Sequence, residues 1–123
     1  FDKINEMSPA SFEEYCHELV EKNGWKVYKN SSIDGGIDIR ALKEEKDGRV
    51  KTLLVQCKLW RTPIPPGAVR DFKAGCDEEK VEGEKQLMFI SFSKFSPGAT
   101  AYANQHGIML VNGDNLIENN KKQ

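Results

Sequence analysis

Three side chains on two short alternating stretches of this sequence assemble an anion, a neutral acceptor and a cation. Asp38 follows the run Asp34-Gly35-Gly36-Ile37, and Gln56 and Lys58 stand two apart at the end of Leu53-Leu54-Val55-Gln56-Cys57-Lys58. In a strand, side chains alternate between faces, so Leu53, Val55, Cys57 and Leu59 point one way and Leu54, Gln56, Lys58 and Trp60 the other. Gln56 and Lys58 then project from one face, with Cα atoms roughly 7 Å apart. In the earlier stretch Asp38 and Arg40 share a face opposite Ile37, Ile39 and Ala41. If Asp47-Gly48 folds one stretch back on the other as a hairpin turn, Asp38 lies beside Gln56 and Lys58 near a strand end. A carboxylate, an amide oxygen and a triply donating ammonium can together hold and polarise a charged ligand. A lysine or glutamine on a strand is usually a solvated edge residue, but a charge beside so apolar a run needs a partner or a task. The glycines before Asp38 let backbone approach a ligand closely.

The surrounding sequence supplies the elements that must hold this group. Ser8-Pro9 reads as an N-cap with proline at the first helical position, and Phe12, Tyr15, Cys16, Leu19 and Val20 recur as one buried helical stripe that stops at Gly24. Trp25 and Val27 begin a short strand, and residues 37–42 alternate as a half-buried one. The return strand runs from 50 to about 60. Pro63, Pro65 and Pro66 break the chain before a helix over about 67–80, with Val69, Phe72 and Cys76 inward. Residues 86–92 form a continuous apolar strand, as in a sheet covered on both faces. Ser96-Pro97 opens a third helix that Gly107 closes, 108–111 form a last strand, and Asp114 caps a short final helix. The order αβββαβ with an additional helix and strand predicts a central mixed sheet flanked by helices, an α/β or α+β domain.

With 123 residues, 38% of them apolar, the chain suits one domain over 1–123, with a polar tail after about residue 118. A net charge of -1 carries no global basic signature, so any nucleic-acid contact must be local. Cys16, Cys57 and Cys76 are too dispersed for a zinc site and read as free thiols in a reducing cytosol. No stretch has the length and apolarity of a membrane span. The missing initial methionine suggests a piece of a longer protein.

In order along the chain, Phe12-Glu13, Gly24-Trp25-Lys26-Val27, Asp34-Gly35-Gly36-Ile37-Asp38, Gln56-Cys57-Lys58, Phe95-Ser96 and the closing Ile108-Met109-Leu110-Val111-Asn112-Gly113 resemble the Mrr-like restriction endonuclease catalytic domains of the PD-(D/E)xK nuclease superfamily. The resemblance covers nearly the whole chain and implies a restriction-endonuclease-like core. It also implies an endonuclease that cuts double-stranded DNA with Mg²⁺, for which Mn²⁺ can substitute. Asp38 matches the metal-binding aspartate and Lys58 the catalytic lysine. Gln56 stands where most of the superfamily has Asp or Glu, and the Cys57 carbonyl is a further metal ligand. Glu13 matches a helix acid that often completes the site; on its own residues it reads equally as a ligand or an ordinary surface acid. Asp34 reads more naturally as a turn former than as a ligand. Lys58 either orients or deprotonates the attacking water, or stabilises developing charge.

The resemblance further implies a homodimer in a prokaryotic cytoplasm, serving host defence, with DNA recognition in another domain. Trp60, Arg61 and Lys94, with Arg70 and Lys73, are candidate DNA contacts, although scattered basic residues are usually just solvated. Ser91 and Ser93 read as phosphate supports or as local backbone partners. His17 and His106 read as packing residues, and Asp77-Glu78-Glu79 as a solvated helix end. The rival reading is a catalytically inactive DNA-binding or assembly module of the same fold, favoured by the uncharged Gln56 and the near-neutral charge.

Overall fold

Cap chemistry and proline placement set the helices. In the computed structural model, which describes residues 8–30 and 36–112, α1 spans Pro9–Lys22 and the Ser8 hydroxyl accepts the Ser11 N–H at 3.1 Å. Helix α2 spans Pro66–Glu78 and α3 spans Pro97–His106. Ser96 caps α3 by accepting from Ala99 N–H at 3.1 Å, and Gly107 ends it in the left-handed conformation at φ 68°. The strands are β1 (Lys26–Asn30), β2 (Ile39–Glu44), β3 (Val50–Lys58), β4 (Glu84–Ser91) and β5 (Ile108–Val111). The expected order holds throughout. The short helix expected from Asp114 and the polar tail lie outside the described residues.

All five strands join one sheet in the order β1-β2-β3-β4-β5. β1, β2 and β3 pair antiparallel, whereas β4 and β5 add in parallel through α2 and α3. The hairpin expected at Asp47-Gly48 joins β2 and β3, with Glu44 opposite Val50 and Gly48 at φ 89°. Alternation divides the core into two layers. Leu53, Val55, Ile39 and Ala41 pack with Phe12, Cys16, Leu19 and Val20 of α1. Leu54 and Phe89 pack with Val69 and Phe72 of α2 and Ala99 and Ala103 of α3. Both crossover helices therefore cover the same face, as successive same-handed crossovers moving one way across a sheet require. β4 feeds both layers, Ile90 to the first and Leu87 and Phe89 to the second, which is why its sequence is continuously apolar. No helix among the described residues is long and apolar enough to cross a membrane.

One expectation about β2 fails. Ile37 does not share a face with Ile39 and Ala41; it lies in the α2–α3 layer with Leu54 and Phe72. Ile39 is the register partner of Val55, yet the Val55 carbonyl accepts the Asp38 N–H at 2.8 Å. Two consecutive residues thus face one partner. Such a β-bulge shifts the alternation by one residue and re-aims the side chain at the slip.

Candidate active site

The bulge places Asp38 at the open end of the β2–β3 hairpin. Its Oδ2 accepts the backbone N–H of Cys57 at 2.7 Å, which ties the carboxylate to the strand carrying Gln56 and Lys58. Only 5% of Asp38 is exposed. Burial pushes its carboxyl up to about 6; the Cys57 N–H opposes this, Glu13 adds to it, and the positive charges of Lys58 and Arg40 hold it down. Glu13, Lys58 and Arg40 are therefore all within electrostatic reach of Asp38. Glu13 arrives from α1, half-buried on the layer opposite Leu54.

Gln56 and Lys58 share a face, as the alternation of β3 requires. With Trp60 they line a cavity of about 360 Å³ that is closed on the other side by Gly36 and by Asp71 and Phe72 of α2. Gly36 sits at φ 90°, and a Cβ there would lie 3.0 Å from Gln56 Nε2, so glycine is needed both for the backbone and for the amide beside it. Gln56 is 7% exposed, and its Oε1 is buried without a hydrogen-bond partner among the described residues. An unsatisfied buried acceptor costs on the order of 1–3 kcal/mol, so it needs a ligand or a purpose.

Trp60 is 40% exposed and its ring lies 5.2 Å from Lys58 Nζ, a cation–π contact that holds the ammonium over the cavity mouth. Arg61 lies over the Phe92 ring at 5.3 Å. Lys94 is exposed on the connection between β4 and α3, where its carbonyl accepts from Ile64 N–H at 2.9 Å. Arg70 is exposed, and Lys73 pairs with Asp77 at 2.7 Å. Ser91 and Ser93 are buried and bond each other at 3.1 Å, the local alternative of the two sequence readings. His17 pairs with Glu21 at 3.3 Å and His106 stacks on Tyr102. Asp34 lies outside the described residues.

The acidic run at the end of α2 is not merely solvated. Glu79 makes a two-pronged ion pair with Arg40, at 2.6 and 3.2 Å, and Arg40 is only 2% exposed. Thirty-nine positions separate the pair, and no local periodicity could have matched them. Asp71 was also overlooked: its place one turn from Ala68 on α2 becomes meaningful only when the helix packs over the cavity.

All three cysteines are free. The Cys16 thiol meets that of Cys57, and this contact together with burial pushes the Cys57 thiol well up; burial carries Cys76 up to about 12.

Mrr_cat, a restriction endonuclease family, matches residues 4–119, and the chain belongs to that family. Several solved structures share the fold. The modification-dependent restriction endonuclease AspBHI aligns with a TM-score of 0.69 at 11% identity, over 91% of this chain and 30% of its own. The restriction endonuclease MspJI, solved with a 27-mer oligonucleotide, aligns with a TM-score of 0.60 at 17% identity over 85% of this chain. A repair endonuclease from Pyrococcus abyssi aligns with a TM-score of 0.58 at 17% identity, over 87% and 47% of the two chains. The chain spans about a quarter of the MspJI chain. No curated protein sequence matches it.

This family implies a divalent cation, and the donors present suit one. Asp38 is a carboxylate whose charge burial disfavours, and among the described residues Gln56 Oε1 has no donor; a hard, oxygen-seeking ion would relieve either. Among the described residues no three His, Cys, Asp or Glu side chains gather as a metal cluster. The second carboxylate within electrostatic reach of Asp38 is Glu13.

Proposed function

We propose that this chain is the cleavage domain of a metal-dependent endodeoxyribonuclease that hydrolyses phosphodiester bonds of double-stranded DNA. The observation that carries the reading is the Asp38 carboxylate, tied by Cys57 N–H to the strand from which Gln56 and Lys58 project. Asp38, Gln56 Oε1, the Cys57 carbonyl and Glu13 would hold Mg²⁺ or Mn²⁺. When bound, the ion supplies Lewis acidity to the phosphate and lowers the pKa of water. Lys58 places a fixed positive charge, with three N–H donors, where negative charge develops on the phosphate. Trp60 keeps that ammonium at the cavity mouth, and with Arg61 and Lys94 it offers a surface to the DNA backbone. The chain matches only part of its longer structural relatives, which supports target selection by another domain. A homodimer would bring one such site to each strand, in keeping with a prokaryotic defence enzyme.

The test is cleavage of a supercoiled plasmid with Mg²⁺ or Mn²⁺. Asp38→Ala and Lys58→Ala should each lower the rate by about 10² to 10⁴, the range for removing a group that transfers protons or stabilises charge. Equal activity in all three proteins refutes the assignment. Binding without nicking by the wild type marks an inactive binding module.

A further inference from the structure

Among the described residues Arg40 has the largest fully buried side chain. Removing a guanidinium from water is costly, and a buried ion pair seldom stabilises a fold more than apolar residues of the same size would. Its geometry offers a different account. Two of its nitrogens grip Glu79 at the end of α2, while Nη1 donates to the Ile37 carbonyl at 3.3 Å. Ile37 immediately precedes Asp38, in the segment where the ladder has slipped and a regular strand no longer fixes the backbone. Asp38 is thus held from two sides: Cys57 N–H on its carboxylate, and Arg40 on the peptide before it. Glu79 orients Arg40 and neutralises it, so the brace runs from the end of α2 to the bulge.

We infer that Arg40 and Glu79 are positioning residues that brace the bulge at Ile37–Asp38 and so set the Asp38 carboxylate for a divalent cation. The inference rests on Asp38 being a cation ligand, as proposed above. Groups that orient metal ligands typically contribute 10- to 100-fold in affinity.

The experiment is direct titration with Mn²⁺ alone, free ion being counted by electron paramagnetic resonance, with thermal unfolding measured on the same samples. The proteins are wild type, Asp38→Ala, Arg40→Lys and the double variant Arg40→Met with Glu79→Met. The apolar double variant removes both charges together, a replacement that commonly leaves stability intact. It should bind Mn²⁺ roughly 10- to 100-fold more weakly than wild type at nearly unchanged melting temperature. Arg40→Lys keeps the charge but replaces the three-nitrogen fork with a single nitrogen, so it should fold normally and lose affinity by an intermediate factor. It carries the test if the double variant misfolds. Wild-type affinity in a folded double variant or in Arg40→Lys, with Asp38→Ala impaired, overturns the brace and leaves the Asp38 assignment standing. Wild-type affinity in Asp38→Ala overturns that assignment and the brace with it.

Discussion

The two ends of the β2–β3 hairpin are built from the same strands and obey opposite rules. At the turn, every residue from Glu44↔Val50 to Ile39↔Val55 pairs in register. The charges there are solvated and matched, with Lys51 on Glu45 and Arg49 on Asp47, each at 2.6 Å. At the open end the ladder slips, Asp38 and Gln56 are buried, and among the described residues Gln56 Oε1 has no donor. An end that only has to close a hairpin satisfies its polar groups in water. The other end keeps costly polar groups out of water, which a fold retains where they serve a site.

The sharpest way to break this contrast uses one glycine from each end. Gly36 and Gly48 have nearly the same positive φ, 90° and 89°, so alanine should strain the backbone by a similar ~1–2 kcal/mol at either. A Cβ at Gly48 meets nothing within 4 Å among the described residues, whereas one at Gly36 presses on Gln56. Gly36→Ala should therefore slow plasmid cleavage by roughly 10- to 100-fold, the effect of about an ångström of misplacement, and Gly48→Ala should leave cleavage unchanged below its melting temperature. Equal rates in the two variants would mean that Gln56 needs no fixed position.

A smaller effect sharpens the same point through pH. The Asp38 carboxyl is raised from 3.8 to about 6 in the fold, so the folded chain holds that proton more tightly than the unfolded one. Its stabilising contribution is complete below about pH 4 and is lost as pH rises through about 6. Asp38→Asn should therefore raise the melting temperature of EDTA-treated protein at about pH 7.5 by a few degrees, the shift that ~1 kcal/mol gives a domain of this size. The gain should vanish near pH 4. A melting temperature that is lower at both pH values would mean that the ionised carboxylate stabilises the fold.

The smallest expected effect belongs to the turn. Arg49 and Asp47 are 82% and 53% exposed, so Arg49→Ala should cost about 0.2–1 kcal/mol by denaturant unfolding and leave cleavage untouched. A larger loss, or any change in cleavage, would show the two ends to be coupled.

What could be read in advance follows the same division. The period-two pattern of β3 correctly places Gln56, Lys58 and Trp60 on one face, because side-chain direction in a regular strand depends on sequence parity alone. Ser8, Ser96 and Gly107 mark helix ends because capping is decided within a few residues. The slip at Asp38 was not legible, since parity arguments assume an unbroken ladder, and Ile37 changed layers as a result. Neither was the link between Arg40 and Glu79, which exists only once α2 has packed against the sheet. The candidate site side chains were visible; the contacts that hold Asp38 were not.

The sulfur chemistry has a practical side. A thiol reacts as its thiolate and must be reached: Cys16 and Cys76 are fully buried, and the contact with Cys16 together with burial pushes the Cys57 thiol up. A single cysteine installed on the exposed surface would consequently be the one an alkylating dye finds first. A fluorescent reporter could then test whether DNA reaches this site with every native sulfur left in place.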